Sequence, residues 1–170
     1  MPNRKTQEES KKNLEDLFSE TLKDIYFAEK QILRALPKMA REAASPELKQ
    51  AFETHREQTE GHVERLNEVF EQFGRPARGK TCEAILGILE EGKSIMEDFK
   101  DTPALDAGLV SAAQAVEHYE IARYGTLKAW AKQMGRGDVM KLLEATEMEE
   151  IATDQALSQV ATTEVNKKAA

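Results

Sequence analysis

Four long stretches of this sequence repeat apolar residues at spacings of three and four, and each replaces an expected Leu or Ile near its middle with an acidic residue or a histidine. The spacing is that of one face of an α-helix. The first stretch, residues 13 to 44, aligns Leu22, Ile25, Glu29, Ile32, Leu36 and Met39. The second, 46 to 73, aligns Phe52, His55, Thr59, His62, Leu66 and Val69. A third, 102 to 134, aligns Val110, Ala113, Glu117, Glu120, Tyr124 and Leu127, and a fourth, 139 to 163, aligns Leu143, Thr146, Glu150, Thr153 or Asp154, and Leu157. Proline and glycine fall where such helices would begin or end. Ser45-Pro46-Glu47 reads as a cap, a proline at the first helical position and an acidic first turn. Gly74-Arg75-Pro76 reads as a stop, and Gly135-Arg136-Gly137-Asp138 as a tight break with a cap. Pro37 should kink the first helix.

Between the two hairpins so defined lie nearly thirty residues, 74 to 102, with a shorter helix expected over 81 to 99 and interrupted at Gly87 and Gly92. Two short-turn hairpins joined by a long crossover define an all-α, ferritin-like antiparallel four-helix bundle, with the crossover carrying a fifth, shorter helix. The bundle is expected to span residues 13–163, with 1–12 and 164–170 frayed.

An ionisable group in a core is costly unless it is paired or bound to metal. Counting from the turns brings these groups to one depth. Glu29 lies 16 residues before Ser45 and His62 lies 17 after it, while Glu120 lies 16 before Arg136 and Glu150 lies 14 after it. At about 1.5 Å per residue, both pairs sit roughly 20–25 Å from their turns. Carboxylates at that density repel one another unless cations or shared protons lie between them. Glu29, Glu117, Glu120 and Glu150 are therefore candidate metal ligands, with His55, His62 and Asp154 as candidates to complete the set. Glu149 points about 100° from the Glu150 face, toward an outer position or solvent.

The formal net charge of −7 disfavours nucleic acid and anionic membrane surfaces as partners. No run of about 18 apolar residues is present, and the single cysteine, Cys82, fits a reducing cytoplasm. There is no nucleophile motif, phosphate loop or zinc-type cysteine spacing.

The strings from Asp24 to Gln31, with Ala35-Leu36-Pro37-Lys38, from Ala112 to Ala122, with Tyr124-Gly125-Thr126-Leu127, and from Glu149 to Asp154 resemble the YciF-like stress proteins over nearly the whole chain. That family is similar to rubrerythrin within the ferritin-like superfamily. The resemblance implies a homodimer and a carboxylate-rich metal site. The superfamily's Glu-x-x-His pair is missing: Thr59 stands three before His62, and Thr153 three after Glu150. The reading that follows is a metal-binding stress protein with two metal ions, iron first and manganese second, turning over peroxide or oxygen. The alternative is a non-catalytic helical scaffold that keeps a polar core.

Overall fold

The computed structural model describes residues 11–170. Those residues form helices α1 (Leu14–Glu42), α2 (Pro46–Gln72), α3 (Glu83–Asp98), α4 (Leu105–Gln133) and α5 (Gly137–Val160), then a π-helical turn (Ala161–Val165) and a last turn, α6 (Asn166–Ala169). No strand occurs among the described residues. Helices α1, α2, α5 and α4 follow one another around a four-helix ring, each packing on the next, and α3 lies outside against α4 and α1. This is the ferritin-like bundle, with α3 on the crossover.

Local chemistry explains the helix ends. Asn13 caps α1 reciprocally: its side chain accepts from the Asp16 amide at 3.0 Å, and Asp16 accepts from the Asn13 amide at 2.9 Å. Ser45 caps α2 by accepting from the Leu48 amide, with Pro46 in the first turn. The break before α5 works differently from the capped turn expected there. Gly135 takes a left-handed φ of 70°, Asp138 falls inside the first turn, and no side chain caps the helix.

The α1–α2 turn is clamped from across the bundle. Buried Asp106 on α4 accepts from the amides of Ala44 at 2.9 Å and Ser45 at 2.7 Å. Without that carboxylate both amides lose their partners. Asp106→Ala is expected to cost about 2 kcal/mol, or roughly 4–8 °C of melting temperature. An unchanged thermal melt would show that water replaces the clamp.

Two sequence expectations give way here. Gly87 and Gly92 do not interrupt the crossover helix, which is continuous from Glu83 to Asp98. Small residues instead let α3 lie close on α4: a Cβ on Gly92 would sit 3.3 Å from the Ala112 methyl, and one on Gly108 would sit 2.5 Å from Ile95 Cγ2. The chain end, expected to fray over 164–170, is helical to Ala169. Val165 is buried there at 1% exposure, and Glu164 meets the Ser45 hydroxyl at 3.2 Å, so an apolar anchor and a polar tie hold the last turns. At the other end, residues 1–10 lie outside the described residues, and Lys11 and Lys12 precede α1 without regular structure.

Among the described residues, no helix is long and apolar enough to cross a membrane. The core above and below mid-height is ordinary: Phe18, Leu22, Phe52, Leu66, Leu109 and Leu127 are at most 2% exposed. Each such side chain contributes about 1.5–3 kcal/mol by leaving water. That apolar packing encloses the polar middle.

Candidate metal centre

Six ionisable side chains meet in the middle of the ring, and all are buried: Glu29 from α1, His55 and His62 from α2, Glu117 and Glu120 from α4, and Glu150 from α5, none more than 3% exposed. Each stands on its helix's apolar stripe, so the helix that buries its leucines buries the acid as well. The i,i+3 spacing of Glu117 and Glu120 aims both inward from one helix. The seven-residue spacing of His55 and His62 does the same two turns apart, with the rings 6.2 Å between centroids.

The groups form two overlapping sets. His55, Glu117, Glu120 and Glu150 offer ligand atoms all within 4.8 Å of one another, and so do Glu29, His62 and Glu150. Glu150 belongs to both. Its Oε2 lies 3.8 Å from His55 Nε2, and its Oε1 lies 2.9 Å from His62 Nδ1. Glu117 Oε1 approaches His55 Nε2 at 3.2 Å, and Glu29 Oε1 approaches His62 Nδ1 at 3.4 Å. These contacts lie off the hydrogen-bonding directions. Eight buried atoms here have no hydrogen-bond partner: Glu29 Oε2, His55 Nε2, His62 Nδ1, Glu117 Oε2 and both carboxylate oxygens of Glu120 and Glu150. Buried polar atoms without partners are rare in folded proteins and call for an explanation. Nitrogen and carboxylate donors converging without mutual hydrogen bonds are what a cation requires, so this cluster can hold a metal ion.

The buried charges perturb one another strongly. Burial, then the charges of Glu150 and Glu29, push the carboxyls of Glu117 and Glu120 well above the usual range. Burial likewise pushes the His55 imidazole down. For His62, burial acts against the charged form, but Glu150 and Glu29 outweigh it and raise its pKa to about 10. Burial also works against ionised Glu150, which His62 and His55 nevertheless hold below the usual range. Without a cation, protons would offset the charge of these carboxylates.

Asp154, one turn beyond Glu150, is not brought into the cluster. A four-residue step overshoots one turn by about 40°, and Asp154 points to the edge of α4. There it accepts from Gln114 Nε2 at 3.0 Å and pairs with exposed His118 at 3.3 Å. Glu57 and Glu60 are exposed on the outer side of α2. The threonines at the Glu-x-x-His positions supply no ligand pair. Thr59 is buried with its hydroxyl donating to the His55 carbonyl at 2.7 Å, and Thr153 donates to the Glu149 carbonyl at 3.0 Å.

Three residues around the cluster escaped the sequence reading in whole or part. The buried Tyr124 hydroxyl donates to Glu29 Oε1, leaving Glu29 Oε2 toward the centre. Its place one turn after Glu120 marks it only as a core aromatic. Glu149 faces neither core nor open solvent: it meets His62 Nε2 at 2.9 Å and is gripped by Arg65 at 2.9 and 2.7 Å. Arg65, three residues after His62, was the only sequence signal for that arrangement.

Residues 13–170 match the family described as "Domain of unknown function (DUF892)". Protein YciF of Escherichia coli (strain K12) is 45% identical over 159 residues, covering 93% of this chain and 96% of that protein. The crystal structure of the E. coli stress protein YciF aligns with a TM-score of 0.87 at 44% identity, over 92% of this chain and 99% of that one. The structure of YcfI from Rhodopseudomonas palustris also aligns at 0.87, with 43% identity over 91% and 98% of the two chains. A protein from Xanthomonas campestris, at 24% identity and a TM-score of 0.69 over 91% of this chain and 94% of its own, shares the fold. With a family match from residue 13 to the last residue and close relatives along almost all of its length, the chain belongs to the YciF-like DUF892 family.

Proposed function

We propose that this chain is a di-metal protein of the stress response, holding two divalent ions, iron before manganese, between Glu29, His55, His62, Glu117, Glu120 and Glu150. The observation that carries the reading is the convergence of eight unpartnered buried donor atoms on these six residues and, among the described residues, on no others. Charge supports the number of ions. Four buried carboxylates, Glu29, Glu117, Glu120 and Glu150, match the charge of two divalent cations. Donor chemistry supports their identity, because mixed carboxylate and imidazole sites suit iron and manganese, and no sulfur donor is in the cluster. Cys82 is engaged elsewhere, 2.9 Å from the Tyr119 hydroxyl.

Such ions, when bound, supply electrons to peroxide or oxygen. The chain's own residues define the setting. Glu150, with one oxygen toward each set, would contribute to holding a cation in either. Tyr124 orients Glu29 through its hydroxyl, and Glu120 offers two free oxygens. A cavity of about 20 Å³, walled mostly by Ile32, Leu36, Phe52, Val116 and Leu157, ends against His55 and Glu117. It is large enough for about one water-sized molecule. The stress setting follows the relative described as the E. coli stress protein.

The homodimer implied by the resemblance belongs to the same reading. Met148 is 65% exposed and Ile151 37% on the outer side of α5, apolar surface suited to a second copy. Protein purified without chelators and loaded anaerobically is expected to carry about two metal ions per chain. Light scattering on the same sample should give twice 19.1 kDa. Elemental analysis that finds no stoichiometric metal after loading would end the di-metal reading, and a monomer mass would end the dimer.

A further inference from the structure

The two imidazoles of the cluster are held in different ways. His55 turns Nε2 inward, 3.2 Å from Glu117, while its outer partners are neutral, the Thr153 hydroxyl 3.5 Å from Nδ1 and the Gln58 side chain. His62 turns Nδ1 inward, 2.9 Å from Glu150, and its Nε2 meets the Glu149 carboxylate at 2.9 Å. Arg65 takes both oxygens of that carboxylate, at 2.9 and 2.7 Å, and its Nη1 also reaches the buried Thr146 hydroxyl at 3.2 Å. A carboxylate so engaged has acceptors only. The hydrogen between Glu149 and His62 therefore sits on Nε2.

We infer that Glu149 and Arg65 are a positioning pair for His62, fixing its Nε2–H form so that Nδ1 is the ligand atom, and that the Glu29–His62–Glu150 position is thereby chemically distinct from the His55 position. This rests on the di-metal reading. The effect on the ligand is twofold. The ring is held against turning over, because a flip about Cβ–Cγ would put carbon in place of both nitrogens and break the Nε2 hydrogen bond to Glu149. The negative partner also raises the basicity of the opposite nitrogen, as carboxylates behind metal-bound histidines do. His55 has neutral outer partners instead, so its ring is less firmly oriented and less basic. One site thus has a charged, doubly clamped histidine support, and the other a neutral one.

Zinc(II), redox-silent and diamagnetic, is a suitable probe on the full chain. Calorimetry on the wild type should resolve two binding events. Glu149→Ala should weaken one of them by about 10–100-fold and leave the other within about two-fold. Glu149→Gln, which can still accept from Nε2–H, should recover part of the loss. Arg65→Met, which frees the carboxylate but leaves it on His62, should lose less than Glu149→Ala. Helical circular dichroism should be unchanged in all three, because Glu149 and Arg65 are about a third exposed and stand on helix surfaces. A general loss of structure would weaken both events together, so the one-sided loss separates positioning from folding. Ring nitrogen spectra of zinc-loaded wild type, which need no variant, should show His62 metallated at Nδ1 with its hydrogen on Nε2. Metallation at Nε2, or equal effects of Glu149→Ala on both events, or none, would overturn the positioning role while leaving two bound ions. Failure of the wild type to bind zinc at all would overturn the di-metal reading and this inference with it.

Discussion

Glu120→Gln is expected to remove most metal binding and, at the same time, to raise the melting temperature of the metal-free protein. Both oxygens of Glu120 are buried without a partner, and the charges nearest it, on Glu150, Glu29 and Glu117, are all carboxylates. Glutamine keeps the size and is neutral without taking up the proton that burial and the neighbouring carboxylates force on Glu120. Relief of about 1–2 kcal/mol, or roughly 2–8 °C, follows from no longer holding a buried acid protonated at neutral pH. Affinity should fall by more than about 100-fold, since outer partners of a ligand are alone worth 10–100-fold. Glu29→Gln separates the two effects. It should lose metal equally, yet its melt should stay level or drop slightly, because Glu29 helps to hold the His62 cation at 3.4 Å. Exposed Glu57 supplies the control. If the carboxylates were only structural parts of a scaffold, these variants would leave metal content unchanged and lower the melting temperature. Elemental analysis and calorimetric melts on the three variants decide the matter.

The metal-free protein should melt at lower temperature as pH rises from about 7 to 9.5, the reverse of what its excess of acids would imply near their ordinary pKa. His62 titrates at about 10 in the folded protein against 6.5 ordinarily, so its stabilising contribution is complete below 6.5 and drains away toward 10. Glu117 and Glu120, pushed up by burial and neighbouring carboxylates, act in the same direction: the folded chain holds protons that the unfolded chain releases. Glu150, held below the usual range despite its burial, matters only on acidification, and His55, pushed down by burial, only below its ordinary 6.5. Bound metal takes the place of those protons. The loaded protein should therefore show little slope, and the stabilisation by metal should grow with pH. With manganese at about a thousand times its dissociation constant, the gain is roughly 4 kcal/mol, or about 8–16 °C. Scanning calorimetry at both ends of the range, with and without manganese, tests this. A metal-free melt that held steady or rose toward pH 9.5 would refute it.

Much of this architecture is written in short-range pattern. The three-and-four spacing that places Glu29 between Ile25 and Ile32 also says that Glu29 is buried, and it is. Ser45 and Pro46 announce a turn, and residue counts from that turn bring Glu29 and His62 to one level, where they lie 3.4 Å apart. The same counting brings Glu120 and Glu150 to the site. These inferences succeed because a helix converts sequence separation into height and angle at a constant rate.

They fail where a side chain lies near the boundary between two faces. Asp154 and Glu149 sit four residues ahead of Glu150 and one behind it, and either could have been drawn in or left out. Their fate depends on what the neighbouring helices present. Gln114 and His118 on α4 take Asp154 outward, while Arg65 on α2 turns Glu149 onto His62. At the end of the chain, expected to fray over 164–170, Val165 is a single apolar residue in a polar run, yet it is buried in a turn that packs on α4. The sequence by itself determined four helices, their pairing and the depth at which their charges meet, because backbone geometry is regular and local. Only the tertiary structure decided which nitrogen of each histidine faces the centre and which carboxylate stands behind it, because those choices are made by contacts between helices distant in the chain.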